Sequence, residues 1–239
     1  MLNIKKIVKH DFSNFLKYRF FYMVIIFSSV FALALGFFPN IQYLTFVFIS
    51  LFIIPIITHS IIFFVEREEK VYIPETTSKI KVYELAIGKL LAALILQLIP
   101  LVFYLFIMIF VVQFNFNLWL FALVYIFSVI VHIIIGFSLA ILASTHIKMV
   151  SIYVAYILIF SFVPFLSLMN LIPVTLDYLF IFSPAYLNAI LFENIQYGYL
   201  YSDTFYIILA IIIPIAFTVF LYWKVLLPFY NKEIVNKGE

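Results

Sequence analysis

Glu66-Arg67-Glu68-Glu69-Lys70-Val71-Tyr72-Ile73-Pro74-Glu75-Thr76-Thr77-Ser78-Lys79-Ile80-Lys81-Val82-Tyr83-Glu84-Leu85-Ala86-Ile87-Gly88-Lys89 is the stretch that decides the fold. It holds ten of the 25 charged residues in a chain of 239, and long apolar runs flank it on both sides. Hydrophobic residues make up 67% of the chain and charged residues 10%, with a mean hydropathy of +1.22. Soluble domains carry about 25% charged residues, so a soluble fold of this length could not bury so much apolar surface. The solvent is lipid. A charged island between two apolar runs then belongs in water, on one face of a bilayer. Cysteine is absent, which excludes disulfides and thiolate metal sites.

Working outward, residues 41–65 before the island and 86–112 after it each read as a membrane span. Upstream, 20–38 is another, beginning after Arg19 and ending at Pro39-Asn40. Ala32-Leu33-Ala34 has the look of a signal-peptide cleavage site, but the leader before it is too long for a signal n-region. That leader, 2–19, places Ile4, Ile7, Val8, Phe12, Phe15 and Leu16 on one helical arc and Lys6, Lys9, Ser13, Asn14 and Lys17 opposite. It reads as an amphipathic helix in the membrane interface. Asp11 breaks the apolar arc, so it caps a break in the helix or meets a partner. Downstream, spans are expected at 118–144, 149–169 and 206–227. The apolar but irregular 170–205 segment is expected as a re-entrant or surface-lying piece containing a short helix at 184–195, with Ser183 as N-cap and Pro184 at its first position. Within the island, Pro74 ends any arriving helix, and Thr76, Thr77 or Ser78 could cap a new one running from Lys79 into the third span. Pro55, Pro100, Pro164 and Pro214 are expected to kink four spans.

The charge census sets sidedness. All fourteen Lys and Arg residues fall in the leader, the island, the loop at Lys148 and the C-terminal end. The three remaining loops carry Asp177, Glu193 and Asp203 instead. Six spans with both termini cytoplasmic satisfy the positive-inside rule, and 170–205 is then extracellular. The fold class is an all-α polytopic membrane protein with one transmembrane domain over 1–239.

No enzyme motif survives inspection. A phosphate-cradling loop needs Gly where Tyr83 stands and Ser or Thr where Leu90 stands, so Gly88-Lys89 is not one. Gly136-Phe137-Ser138-Leu139-Ala140 lacks the final Gly of a serine elbow and sits inside a span. His59 and His132 lie inside spans, where a neutral histidine bonded to a neighbouring helix is the simpler role than a proton relay. No Asp or Glu lies deep in a span, which weighs against proton-coupled transport. Gly136, Ala140 and Ser144 recur at the spacing that lets helices approach closely. Tyr153, Tyr156 and Phe160 share one face of the fifth span and either line a path or pack.

An amphipathic leader, six spans, Glu66-Arg67-Glu68-Glu69-Lys70, then Ile73-Pro74-Glu75-Thr76-Thr77-Ser78, then Gly88-Lys89 opening the third span: this layout resembles the permease subunit of an ABC-2 type exporter. Ile73-Pro74 stands where that family more often has Leu-Pro. The resemblance implies a half-transporter that pairs with an identical or related second permease subunit. Two separate ABC ATPase subunits would bind ATP and Mg, with no cofactor in this chain and no nucleic-acid partner. It makes 66–85 the coupling loop, with Glu66, Glu68, Glu69, Lys70, Ile73, Pro74, Glu75, Thr76 and Thr77 as the ATPase-coupling residues. It makes 2–19 the connecting helix and 170–205 the outer gate. Spans two and five then line the substrate path, with His59, Tyr153, Tyr156 and Phe160 on it. Small size and Phe/Tyr-rich spans are similar to permeases in the bacterial cytoplasmic membrane that expel amphipathic peptides, such as phenol-soluble modulins or lantibiotics. A non-transporting membrane assembly or immunity factor and a secondary transporter are the alternative function classes.

Overall fold

A computed structural model of the chain describes residues 2–37, 43–68, 81–111, 113, 117–168, 174–197 and 204–235. Every secondary-structure element among them is helical. The elements are α1 (Leu2–Lys17), α2 (Phe20–Phe37), α3 (Tyr43–Glu68), α4 (Val82–Phe110) and α5 (Leu118–Leu142). Next comes α6, which runs from His146–Ile157 through a π turn at Leu158–Phe162 into Val163–Leu168. A 3₁₀ segment (Val174–Phe182), α7 (Pro184–Tyr197) and α8 follow, the last built of Thr204–Leu221, a π turn at Tyr222–Leu226 and Leu227–Val235. Helices thus stand at all six positions where spans are expected. Among the described residues, three are long and apolar enough to cross a membrane: Val82–Phe110, Leu118–Leu142 and Thr204–Lys232. The pair Ile4–Lys17 and Phe20–Leu33, bent by 72°, makes a fourth if taken as one span.

Local chemistry sets the helix ends. Asn117 Oδ1 accepts the Leu120 N–H at 3.1 Å, and Thr145 Oγ1 accepts the Lys148 N–H at 3.3 Å, so both are N-caps. The α1–α2 corner turns at Arg19, whose φ of 63° is the left-handed conformation that closes a helix. The start of α4 differs from expectation. Lys81 is extended, with ψ of 144°, so the helix begins at Val82 rather than at Lys79. Its first turn is held by Glu84 Oε2, which accepts the Lys81 N–H at 3.2 Å. The Thr76–Ser78 cap lies outside the described residues.

α3 and α5 share the most extensive helix packing among the described residues. Gly136 permits it: a Cβ there would lie 3.1 Å from the Ile56 carbonyl oxygen and 3.2 Å from the Ile56 Cα. Ser60 Oγ donates to the Gly136 carbonyl at 2.9 Å across the gap. Around this crossing, Phe63, Phe64, Tyr104, Phe121, Tyr125 and Phe137 form the largest buried cluster. Gly136 and Ala140 therefore serve packing within the chain, while Ser144 lies past the end of α5 and is exposed.

α7 is buried more deeply than a surface-lying helix would be. Ala185, Leu187, Asn188 and Phe192 are buried, and α7 packs against α3, α5, α6 and α8. Ser183 explains how it is tied. Its Oγ accepts the Tyr186 N–H at 3.1 Å, and its hydroxyl donates to the Phe160 carbonyl at 2.5 Å. Phe160 lies four residues before Pro164, so no proline N–H can reach that carbonyl. The cap of α7 supplies the missing donor. Ser183→Ala should therefore cost about 2 kcal/mol, from the lost cap and the unpaired carbonyl together. Thermal unfolding of the full chain in detergent checks this, with Ser183→Thr expected to retain most of the stability.

Candidate functional site

α1 docks on α4 through Ile7 and Asp11, one turn apart on α1, which meet the neighbouring residues Gly88 and Lys89. Ile7, 2% exposed, fills a notch at Gly88, where a Cβ would come within 2.7 Å of Ile7 Cγ2. One turn further along α1, and at the very next residue of α4, Lys89 Nζ donates to Asp11 Oδ1 at 3.3 Å. The same ammonium donates to Glu66 Oε2, on α3, at 2.9 Å. The side chains of Asp11, Glu66 and Lys89 are 3%, 5% and 5% exposed, so all three charges are out of water. Charges removed from water persist only when paired and hydrogen-bonded, so Lys89 fixes α1 and α3 to itself at one point. Asp11 breaks the apolar arc of α1 because its partner is inside the protein. Along that arc Ile7 and Phe15 are buried against protein, while Leu16 stays exposed.

Arg67, the next residue on α3, reaches the other way. Its Nη1 donates to the Ala140 carbonyl at 3.2 Å and its Nη2 to the Ala143 carbonyl at 2.6 Å. These are carbonyls at the C-terminal end of α5, where a cation also meets the negative end of the helix dipole. The guanidinium lies 4.7 Å from the centroid of the Phe64 ring. Together Glu66, Arg67 and Lys89 bind the two stems of the charged stretch to α1, α4 and α5.

The expected coupling residues divide accordingly. Glu66 faces inward, onto Lys89. Glu68, the last residue of α3, is exposed. Glu69, Lys70, Ile73, Pro74, Glu75, Thr76 and Thr77 lie outside the described residues. Asp11, Arg67 and Lys89 were not among the expected site residues, and the signal that finds them is a charge on an apolar face, which needs an opposite charge close by.

The four expected path residues fall into two groups, His59 in one and Tyr153, Tyr156 and Phe160 in the other. His59 is fully buried, with its ring near Phe15 and Phe137. Gln97 Nε2 lies 3.1 Å from His59 Nε2 and donates to Thr58 Oγ1 at 3.3 Å, and the Tyr125 hydroxyl donates to the Gln97 carbonyl at 3.2 Å. His59 is thus part of a polar knot between α3 and α4, and Gln97, a lone amide in an apolar run, is its overlooked member. Tyr156 and Phe160 stack at 5.3 Å, and with Tyr153 they pack around Ile56, Val131 and Ile135. The buried hydroxyls of Tyr153 and Tyr156 make no hydrogen bond among the described residues. A separate apolar cavity of about 340 Å³ lies between α5, α7 and α8, lined by Leu123, Phe127, Leu191 and Ile211 with Asn194 as its polar member. None of the four path residues lines it.

The model of the family described as ABC-2 type transporter matches residues 3–197, which takes in the leader, the charged stretch and α7. The chain belongs to that family. It is a membrane protein and a permease component of an ABC transporter, and permeases of this family generally work with an ATPase subunit. No curated protein and no solved structure matches the chain.

Proposed function

We propose that this permease is one half of an ATP-driven exporter, with six spans and both termini in the cytoplasm of a bacterial cell. It pairs with a second permease subunit, and separate ATPase subunits bind ATP and Mg and press on the 66–85 stretch. The observation that supports this best is the buried Asp11–Lys89–Glu66 triad. A push on the stretch reaches its two stems, and those stems are fixed to α1, α4 and α5. From Val82 onward α4 is one continuous helix to Phe110, and its part before Pro100 is a lever that strains little along its axis.

The substrate proposed is a hydrophobic or amphipathic one, best an amphipathic peptide. The Phe/Tyr-rich spans and the apolar cavity between α5, α7 and α8 support that class. Spans two and five carry the path, and buried α7 with the 3₁₀ segment before it forms the outer gate. The test changes Ile73→Asp with Pro74→Ala in the full complex. Loss of an interface anchor costs about 2 kcal/mol, roughly a 30-fold drop in ATPase affinity. Co-purification of the ATPase and peptide export by inverted vesicles should both fall. Unchanged binding and export in this variant contradict the coupling role.

A further inference from the structure

A groove of about 390 Å³ runs between α1 and α4, lined by Lys5, Val8, Lys9 and Phe12 of α1 and by Ile95 of α4. The four α1 residues form one helical stripe. It lies beside the stripe of Ile7, Asp11 and Phe15 that is buried against protein. Lys5 and Lys9 are exposed, and neither joins an ion pair among the described residues. Ile95, six residues past Lys89 on a helix long and apolar enough to span, is 43% exposed. The groove therefore has on its lip two ammonium groups that no described residue pairs, and an apolar floor on the exposed side of a helix long enough to span.

We propose that this groove binds an anionic phospholipid of the surrounding leaflet. The phosphate sits between the Lys5 and Lys9 ammonium groups, and one acyl chain lies over Val8, Phe12 and Ile95. Charge complementarity selects the anionic headgroup. The exposed apolar floor selects a chain-bearing ligand over a free phosphate, and over an acidic protein segment, which would have to leave Ile95 against lipid or bury its own polar backbone there. Basic residues beside a spanning helix gain about fivefold in anionic-lipid affinity per lysine. A lipid in this place spans α1 and α4 beside the ion triad, so it braces the same joint.

The test is native mass spectrometry of the full-length chain in detergent with equal phosphatidylglycerol and phosphatidylcholine. The wild type should retain phosphatidylglycerol preferentially. Lys5→Gln with Lys9→Gln should lower that retention roughly 25-fold. Lys17→Gln with Lys148→Gln, which removes the same charge elsewhere, should not. Val8→Trp keeps both lysines but fills the floor, and it should also lose the lipid. Millimolar inorganic phosphate should leave the bound lipid in place. Melting temperatures without added lipid should match across the lysine variants. Equal lipid retention in both lysine pairs, equal loss in both, or displacement by phosphate overturns the proposal. So does loss of ATPase binding in Lys5→Gln/Lys9→Gln with lipid retained, which would assign the lysines to a protein partner.

Discussion

Lys89→Met should destabilise the chain by about 3–5 kcal/mol, the usual cost of leaving a buried charge without its partner. Here two carboxylates, Asp11 and Glu66, lose the same ammonium. The cheapest escape is for α1 to lift away and return Asp11 to water. Trypsin should then cut α1 at Lys5, Lys6 and Lys9 much faster than in the wild type, and the melting temperature should fall. Adding Asp11→Asn and Glu66→Gln removes both buried carboxylate charges that the ammonium had balanced. Neutral replacements for a buried ion cluster are often neutral or stabilising, so this triple variant should regain most of the lost stability. Retention of wild-type protease resistance by Lys89→Met alone would show that the triad does not hold α1.

Gly136→Val has the second-largest expected effect. The atoms a Cβ would meet are the backbone of Ile56, which cannot rotate aside as a side-chain tip can. α3 and α5 must part, at a cost of about 1–3 kcal/mol for overpacking plus about 1 kcal/mol for the Ser60 hydrogen bond. The separation also draws Arg67 from the Ala140 and Ala143 carbonyls, one and two turns further on. Thermal unfolding should rank Gly136→Val as the most damaging, Gly136→Ala as intermediate and Ser60→Ala as the mildest.

The helical class and the positions of the long helices were legible because apolar length and charge segregation are properties of the sequence alone. The short helix after Ser183 was legible from its Ser-Pro start. Other features depend on pairings distant in the chain. Asp11 and Lys89 are 78 residues apart, and nothing local to either names the other. Gly88-Lys89 was visible as a dipeptide, but its use, a notch for Ile7 beside an anchor for Asp11, is a tertiary fact. The start of α4 moved from Lys79 to Val82 because a first-turn Glu84 stabilises the later start and cap propensity upstream does not decide it. His59 was legible as a neutral histidine bonded to a neighbouring helix, and only the family resemblance placed it on a path. Its place in a knot with Gln97 and Thr58 follows from which faces of α3 and α4 meet, which periodicity in uniformly apolar helices does not reveal.

The most direct measurement of the coupling account is the ratio of peptide exported to ATP hydrolysed by the complex carrying Lys89→Met, Asp11→Asn and Glu66→Gln. This variant keeps the fold and the Ile73–Thr77 stretch but cuts the charged ties between the stretch and α1. The account predicts normal ATPase binding and hydrolysis with export reduced about tenfold or more, the cost of losing roughly 1.4 kcal/mol of mechanical coupling. Export per ATP equal to the wild type, in a variant of wild-type stability, would contradict it.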